Sequence, residues 1–373
     1  QQIELCGAAS RYLLAAHPVD VFAVVFGSGD HVQHWFWRER GVVGRDGRRV
    51  DDLLLHVYRK LDEEIGRIVS ECAGDRTVVM LMSDHGAGPC EGGINLDNWL
   101  ASHGWLEPAR DAGGWGRRTR RSLIRAGGRL VPRALRRRFG GRLARTRGKL
   151  ISDFASSRIH WPGTRAFSWS DYGNISLNMR GRFESGTVGE NDRDALLTEI
   201  EDALLTLRHP ETGERIMSAP LRGKDIYHGG RTDAAPDLLA VVRDYRYEIL
   251  SNLTPAGPLP GREEAAIFAP PRREGTHRLH GVFCASGPGV RGGYPLMGLR
   301  IEDIAPTVLH LLGLVAPSWM DGRAISAMLT REELARRAPA REEVPLVDGE
   351  ARGDYDGGQR EQVERTLRGL GYI

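Results

Sequence analysis

The sequence predicts an α/β fold in which helices cover a mostly parallel sheet. Three observations predict it. The apolar run within "VDVFAVVFGSGD" (Val19 to Asp30) reads as a short buried strand ending in a Gly/Ser turn, and Val78–Met82 reads as a second buried strand. Between them, Leu54, Val57, Leu61, Ile65, Ile68 and Cys72 recur at helical spacing. Strand, long helix, strand is the order of a βαβ unit, whose two strands lie parallel beneath the helix.

The elements follow in order along the chain. Ala8–Ala16 has helical character and leads toward the first strand. "DHVQHWFWRE" opens a helix or helical loop. Asp51 and Asp52 stand where acidic residues favour a helix start. Further on, Asp192–Leu207 is amphipathic and helical, and "APDLLAVVRD" reads as a strand. "HGVFCASGPGV" is a strand closed by a Gly-Pro-Gly turn. "IEDIAPTVLHLLGL" is a helix with Pro306 in its first turn and Gly313 near its end. "DGGQREQVERTLRGLGYI" closes the chain as an amphipathic helix bearing Val363, Leu367 and Leu370.

Composition bounds the class. The 373 residues are 40% hydrophobic and 27% charged, with a net charge of +3, as in ordinary globular proteins. No run approaches the roughly 20 apolar residues of a membrane span. Cys6, Cys72, Cys90 and Cys284 form no CxxC pair, which argues against a disulfide framework or a cysteine zinc site and for idle thiols in a reducing, cytoplasmic setting. The chain opens on Gln1 in what reads as the middle of a protein, so an N-terminal part is expected to precede it. Arg117–Lys149 holds fourteen Lys/Arg and no Asp or Glu. Leu123, Ile124, Leu130, Leu135 and Phe139 are interspersed, which favours a folded surface insertion or lid over an anion-binding patch. Sparse aromatics there argue against nucleic acid. The expected division is a core at 1–100, an Arg-rich insertion or cap at 101–175, more core at 176–330, and a tail with a helix at 331–373.

Two strand ends carry chemistry. Asp30 and His34 lie four apart, so a helix would put both on one face. Asp84 and His85 are adjacent. Neighbours on a strand point to opposite faces, so the chain must leave extended geometry there, and Gly86 and Gly88 permit it. In parallel α/β sheets ligands bind beyond such strand ends. Asp with His, twice over, suits a divalent ion such as zinc or manganese. "EGTHRLHGVFCASGPG" adds His277 and His280 as a third source of ligand. His17, His56, His103, His160, His209 and His310 read as loop or helix-face histidines without a carboxylate-rich setting, and His31 would point away from the Asp30/His34 face.

The ordered set "GSGDHVQHWFW", "SDHGAG" and "GTHRLHGVFCASGPGV", followed by "IEDIAPTVLHLLGL…MDGR", resembles the alkaline phosphatase superfamily, in its type I phosphodiesterase / nucleotide pyrophosphatase branch. "IHWPGTRAF", "IYHGGRTDAAPDLLAV" and "LRGLGYI" extend the resemblance over most of the chain. It implies a three-layer sandwich, a central mostly parallel sheet with helices on both faces. It also implies two divalent metal ions, zinc or manganese, acting on a small phosphoester or nucleotide. Asp30, His34 and His277 would hold one ion; Asp84 and His85 would hold the other with an aspartate from the chain's beginning. His277 fits better than His280, because it follows Gly-Thr and precedes Arg. The resemblance implies a Thr or Ser nucleophile upstream of Asp30, forming a phospho-enzyme that water then hydrolyses. No Thr precedes Asp30, and Ser10 and Ser28 lack the setting, so the nucleophile is expected upstream of residue 1. A sulfatase would need Cys or Ser followed by x-Pro-x-Arg, which this sequence lacks; a metal-dependent phosphoglycerate mutase fits the "DHVQHWFW" region poorly. The alternative is a non-catalytic metal- or anion-binding protein of the same fold.

Overall fold

The computed structural model describes residues 1–38, 40–43, 49–109, 158–169, 172–230, 232–251 and 267–344. The Arg-rich run Arg117–Lys149 and the expected C-terminal helix lie outside these residues. Among the described residues the α-helices longer than one turn are α1 (Gln2–Ala16), α2 (Ser28–Trp35), α3 (Leu53–Cys72), α4 (Leu96–Ser102), α5 (Glu190–Thr206), α6 (Ile304–Leu311) and α7 (Arg331–Arg336). The strands begin with β1 (Arg40–Val43), β2 (Arg49–Asp52), β3 (Val79–Met82), β4 (Gly86–Pro89), β5 (Gly92–Asn95), β6 (Ala166–Ser168), β7 (Asn174–Leu177), β8 (Leu221–Arg222) and β9 (Leu238–Leu239). They continue with β10 (Tyr247–Leu250), β11 (Phe268–Ala269), β12 (Gly275–Arg278), β13 (Phe283–Ser286), β14 (Ala316–Pro317) and β15 (Arg341–Glu342). Among the described residues the chain divides into two compact units, one built from Gln1–Pro89 with residues 273–344, the other from Cys90–Arg272.

In the first unit α3 starts where Asp52 accepts a hydrogen bond from the Leu55 N–H at 3.0 Å, capping the helix. Its apolar stripe is half-buried. On the same helix Glu64 is buried; Arg11 of α1 donates to it at 2.9 Å, and Arg67 pairs with it as well. Gly7 of α1 makes this approach possible, since a Cβ there would fall 2.3 Å from a Glu64 carboxylate oxygen. β3 pairs antiparallel with β13, and Met80, Phe283 and Ala285 pack with Ile304 and Leu311 around Ile325, Met328 and Leu329. β4 pairs antiparallel with β12, setting His277 opposite Ala87 and Arg278 opposite Gly86.

The second unit holds the larger apolar core, including Ile94, Trp99, Leu100, Phe167, Leu177, Leu196, Ile200 and Leu238. β6, β7, β9 and β8 form an antiparallel sheet in that order, while β5 lies between β10 and β11. Asp237, just before β9, is buried: it accepts from the Leu177 N–H at 2.9 Å, from Arg182 at 2.9 Å and from Arg193 at 3.1 Å.

Several expectations change. Val21–Phe26 forms no strand, and Val25 is 86% exposed. Val79–Met82 is a strand, but Leu81 and Met82 are exposed rather than fully buried. An apolar run reports a tendency toward burial; it does not specify a partner or a direction. Among the described residues the partner of β3 arrives from the C-terminal side and runs antiparallel, so the expected βαβ pair does not form. Among the named strands, β5–β10 and β14–β15 pair in parallel, within short separate sheets. Other expectations hold: α5, α6 and β13 fall where periodicity puts them, with Gly313 at φ +85° after α6 and Gly287 and Gly289 at positive φ after β13. None of the four cysteines lies in a disulfide, and among the described residues no helix is long and apolar enough to cross a membrane.

Candidate metal centre

α2 delivers two of the predicted residues. Asp30 sits in its first turn, where a carboxylate is favoured, and His34 lies one turn on. Their side chains meet, His34 Nε2 lying 3.2 Å from Asp30 Oδ1. Asp84 and His85 follow β3, in the short link before β4. That link is tied down: the Ser83 hydroxyl accepts from the Val282 N–H at 2.9 Å, and the Ser83 N–H donates to the Val282 carbonyl at 3.0 Å. Gly86 is needed at the turn into β4, because a Cβ there would lie 2.0 Å from the His280 carbonyl oxygen. β12 contributes His277, whose ring stacks on that of His85 with centroids 3.8 Å apart.

Hydrogen bonds fix what the rings present. His34 Nδ1 faces the Gly275 carbonyl at 2.9 Å, and His85 Nδ1 faces the Gly86 carbonyl at 2.9 Å. A carbonyl only accepts, so each Nδ1 carries a hydrogen, and in the neutral ring each Nε2 presents a lone pair. Those lone pairs face carboxylates and, at His34, a third ring nitrogen. His34 Nε2 lies 3.0 Å from His277 Nε2 as well as close to Asp30. His85 Nε2 lies 3.7 Å from Asp30 Oδ1 and 3.6 Å from Asp84 Oδ1. Burial lowers the His277 pKa from the ordinary histidine value, and the neighbouring His85 and His34 lower it further, against the opposite pull of Asp30 and Asp84. Protonation at His277 is thus disfavoured, and a divalent cation is one partner that would satisfy the donor set.

The spacing fits such an ion. Zinc bonds of about 2.0–2.1 Å in a tetrahedron set neighbouring donor atoms roughly 3.3 Å apart. The 3.0 and 3.2 Å separations around His34 are close to that edge. One donor atom each from Asp30, His85 and His277 also lies within 4.8 Å of the other two. The structure therefore brings Asp30, His34, Asp84, His85 and His277 into one cluster, with Asp30 between His34 and His85 rather than in a clearly separate set. His34 is buried, whereas the Asp84 side chain is 76% exposed, which leaves the cluster open on that side.

The remaining histidines lie elsewhere. His280 is exposed, and His31 faces a groove of about 420 Å³ with Val32, Trp35 and Phe36. His160 does have a carboxylate neighbour, Glu107 at 3.1 Å, contrary to the sequence reading; the partner lies 53 positions back in the chain, where spacing gives no cue. Sequence reasoning also passed over Gly275, whose carbonyl orients His34. The Gly two residues before His277 was the available signal.

An aspartate–histidine cluster of this kind defines a candidate divalent-metal centre. The family model for type I phosphodiesterase / nucleotide pyrophosphatase matches residues 7–282, and the chain belongs to this family. Among solved structures, human ectonucleotide pyrophosphatase / phosphodiesterase 5 is similar at 14% identity and a TM-score of 0.44, over 88% of this chain and 64% of that one. The murine protein gives 16% identity and 0.45 over the same shares. A mutant of the alkaline phosphatase PafA gives 15% and 0.43, over 88% of this chain and 51% of that one. The chain thus spans less than two thirds of the length of each. No curated protein matches it.

Proposed function

We propose that this chain carries the metal-binding part of a two-metal phosphoric ester hydrolase of the phosphodiesterase or nucleotide pyrophosphatase type. In this reading Asp30, His34 and His277 hold one divalent ion, and Asp84 and His85 hold the second. The described strands form short, separate sheets, and a hydroxyl nucleophile and a further aspartate would complete the two-metal site. Zinc is favoured, with manganese the alternative. The observation that carries the reading is the set of ring lone pairs facing carboxylates, in a chain of this family.

Bound divalent ions would neutralise the anionic phosphoester, lower the pKa of a hydroxyl and stabilise the leaving oxygen. The protein's own residues do the rest. Asp30 and Asp84 supply the negative charge that retains cations. His34 and His85 are oriented by backbone carbonyls, so their Nε2 lone pairs are set before ligand arrives. The exposed side at Asp84 admits a small phosphoester or nucleotide.

The test uses the full-length protein, with metal content by mass spectrometry and turnover of bis(p-nitrophenyl) phosphate in zinc or manganese. Asp84→Ala is expected to lose about one ion per chain and at least 100-fold in turnover, since metal ligation and its orienting shell carry effects of that order. Unchanged metal content and turnover in Asp84→Ala would remove the assignment. Metal bound without turnover in the unsubstituted protein would favour the non-catalytic alternative.

A further inference from the structure

The start of β12 is stitched to the end of α2 on both sides of one glycine. The Glu274 N–H donates to the His34 carbonyl at 2.9 Å, and the Glu274 carboxylate accepts from the Arg38 N–H at 2.8 Å. Between these ties and His277 stands Gly275, which is buried and whose carbonyl accepts from His34 Nδ1 at 2.9 Å. The backbones approach closely here. A Cβ on Gly275 would lie 2.1 Å from the Gln33 carbonyl oxygen and 3.3 Å from the Trp37 ring. Two residues on, His277 presents Nε2 at 3.0 Å from His34 Nε2.

We propose that Gly275 is a positioning residue of the metal centre. Its carbonyl holds His34 in the tautomer whose Nε2 is free, and its missing side chain lets β12 dock on α2 so that His34 and His277 face each other before any ion arrives. The metal-binding purpose rests on the reading given under the proposed function; the positioning itself does not. A residue that orients a ligand in this way typically contributes 10–100-fold to metal affinity.

The experiment records long-range proton–nitrogen NMR of the imidazoles in the full chain, first metal-free and then with zinc, with His34 assigned through His34→Gln. The expected result is a single His34 tautomer protonated at Nδ1 in the metal-free protein, with only Nε2 shifting on zinc addition. Competition titration should show zinc binding about 10–100-fold weaker in Gly275→Ala. Protonation of His34 at Nε2, or exchange between tautomers, in the metal-free chain would overturn the proposal, as would unchanged zinc affinity in a folded Gly275→Ala. Should that variant not fold, the spectrum of the unsubstituted chain decides. Zinc failing to bind a chain whose His34 is fixed as expected would count against the metal function and leave the positioning intact.

Discussion

A neutral imidazole with its Nδ1 hydrogen committed to a carbonyl has one thing left to offer, a lone pair, and in this protein two such rings turn theirs toward Asp30. Where both rings are neutral, the charge of Asp30 is a cost to the metal-free fold and an asset to the loaded one. Asp30→Asn separates the two effects, because its amide can donate to the lone pair of His34. The metal-free variant is expected to be at least as stable as the unsubstituted chain, by up to about 1 kcal/mol from the net gain of one hydrogen bond, while bound metal falls. Paired thermal melts and metal analysis check this; a metal-free variant less stable by more than that margin would contradict it. A second residue gives a pH dependence. His310 of α6 is buried, its Nε2 has no hydrogen-bond partner among the described residues, and burial, aided by Arg337, depresses its pKa. The unfolded chain, with an ordinary histidine pKa near 6.5, then binds the proton more readily than the folded one. Stability is fully present above that value and is lost as the pH falls through it toward the depressed folded pKa. Denaturant midpoints between pH 7.5 and 5.5 should fall in the unsubstituted chain and fall less in His310→Gln.

At the scale of elements, polar side chains that close off backbone ends carry identifiable stability. Asp52→Ala removes the cap of α3 and should cost about 1 kcal/mol, read from urea unfolding. Asp237→Ala should cost about 3 kcal/mol, because it strands the buried Leu177 N–H and leaves Arg182 and Arg193 without their shared carboxylate; a loss below about 1 kcal/mol would mean that both guanidiniums relax freely into water. These examples also mark how far the sequence could be read. α3 was legible because its stripe and its cap are both local. The pairing of Asp30 with His34 was legible because a helix fixes the i, i+4 relation. The union of β4 with β12 was not: "GAGP" and "GTHR" are glycine-rich, carry no alternation, and stand nearly two hundred positions apart. Val19–Phe26 misled for the converse reason, since its apolar pattern is strong and its partner cannot be read locally. Likewise the stacking of His277 on His85 follows from register rather than from spacing.

For the molecule as a whole, the cluster joins donors that the chain brings from positions 30 to 85 and from position 277, so an ion bound there would bridge segments far apart in sequence within one unit. Binding to the native state alone adds RT ln(1 + [L]/Kd), about 2.7 kcal/mol when free ion is 100 times its dissociation constant. That increment should not spread evenly. It belongs to α2, β4 and β12, which carry or frame the donors, and those segments lie in the unit that lacks the larger apolar core. Their opening should therefore respond to metal, while α5 and β7, which rest on Leu196, Ile200 and Leu177 in that core, should not. Hydrogen exchange with and without a zinc chelator checks this directly. The expected outcome is at least tenfold faster exchange in peptides from α2, β4 and β12 after chelation, with α5 and β7 unchanged. Equal exchange in both states would show that the cluster holds no ion under those conditions, and uniform acceleration throughout would show that the metal supports the fold at large rather than a local clamp.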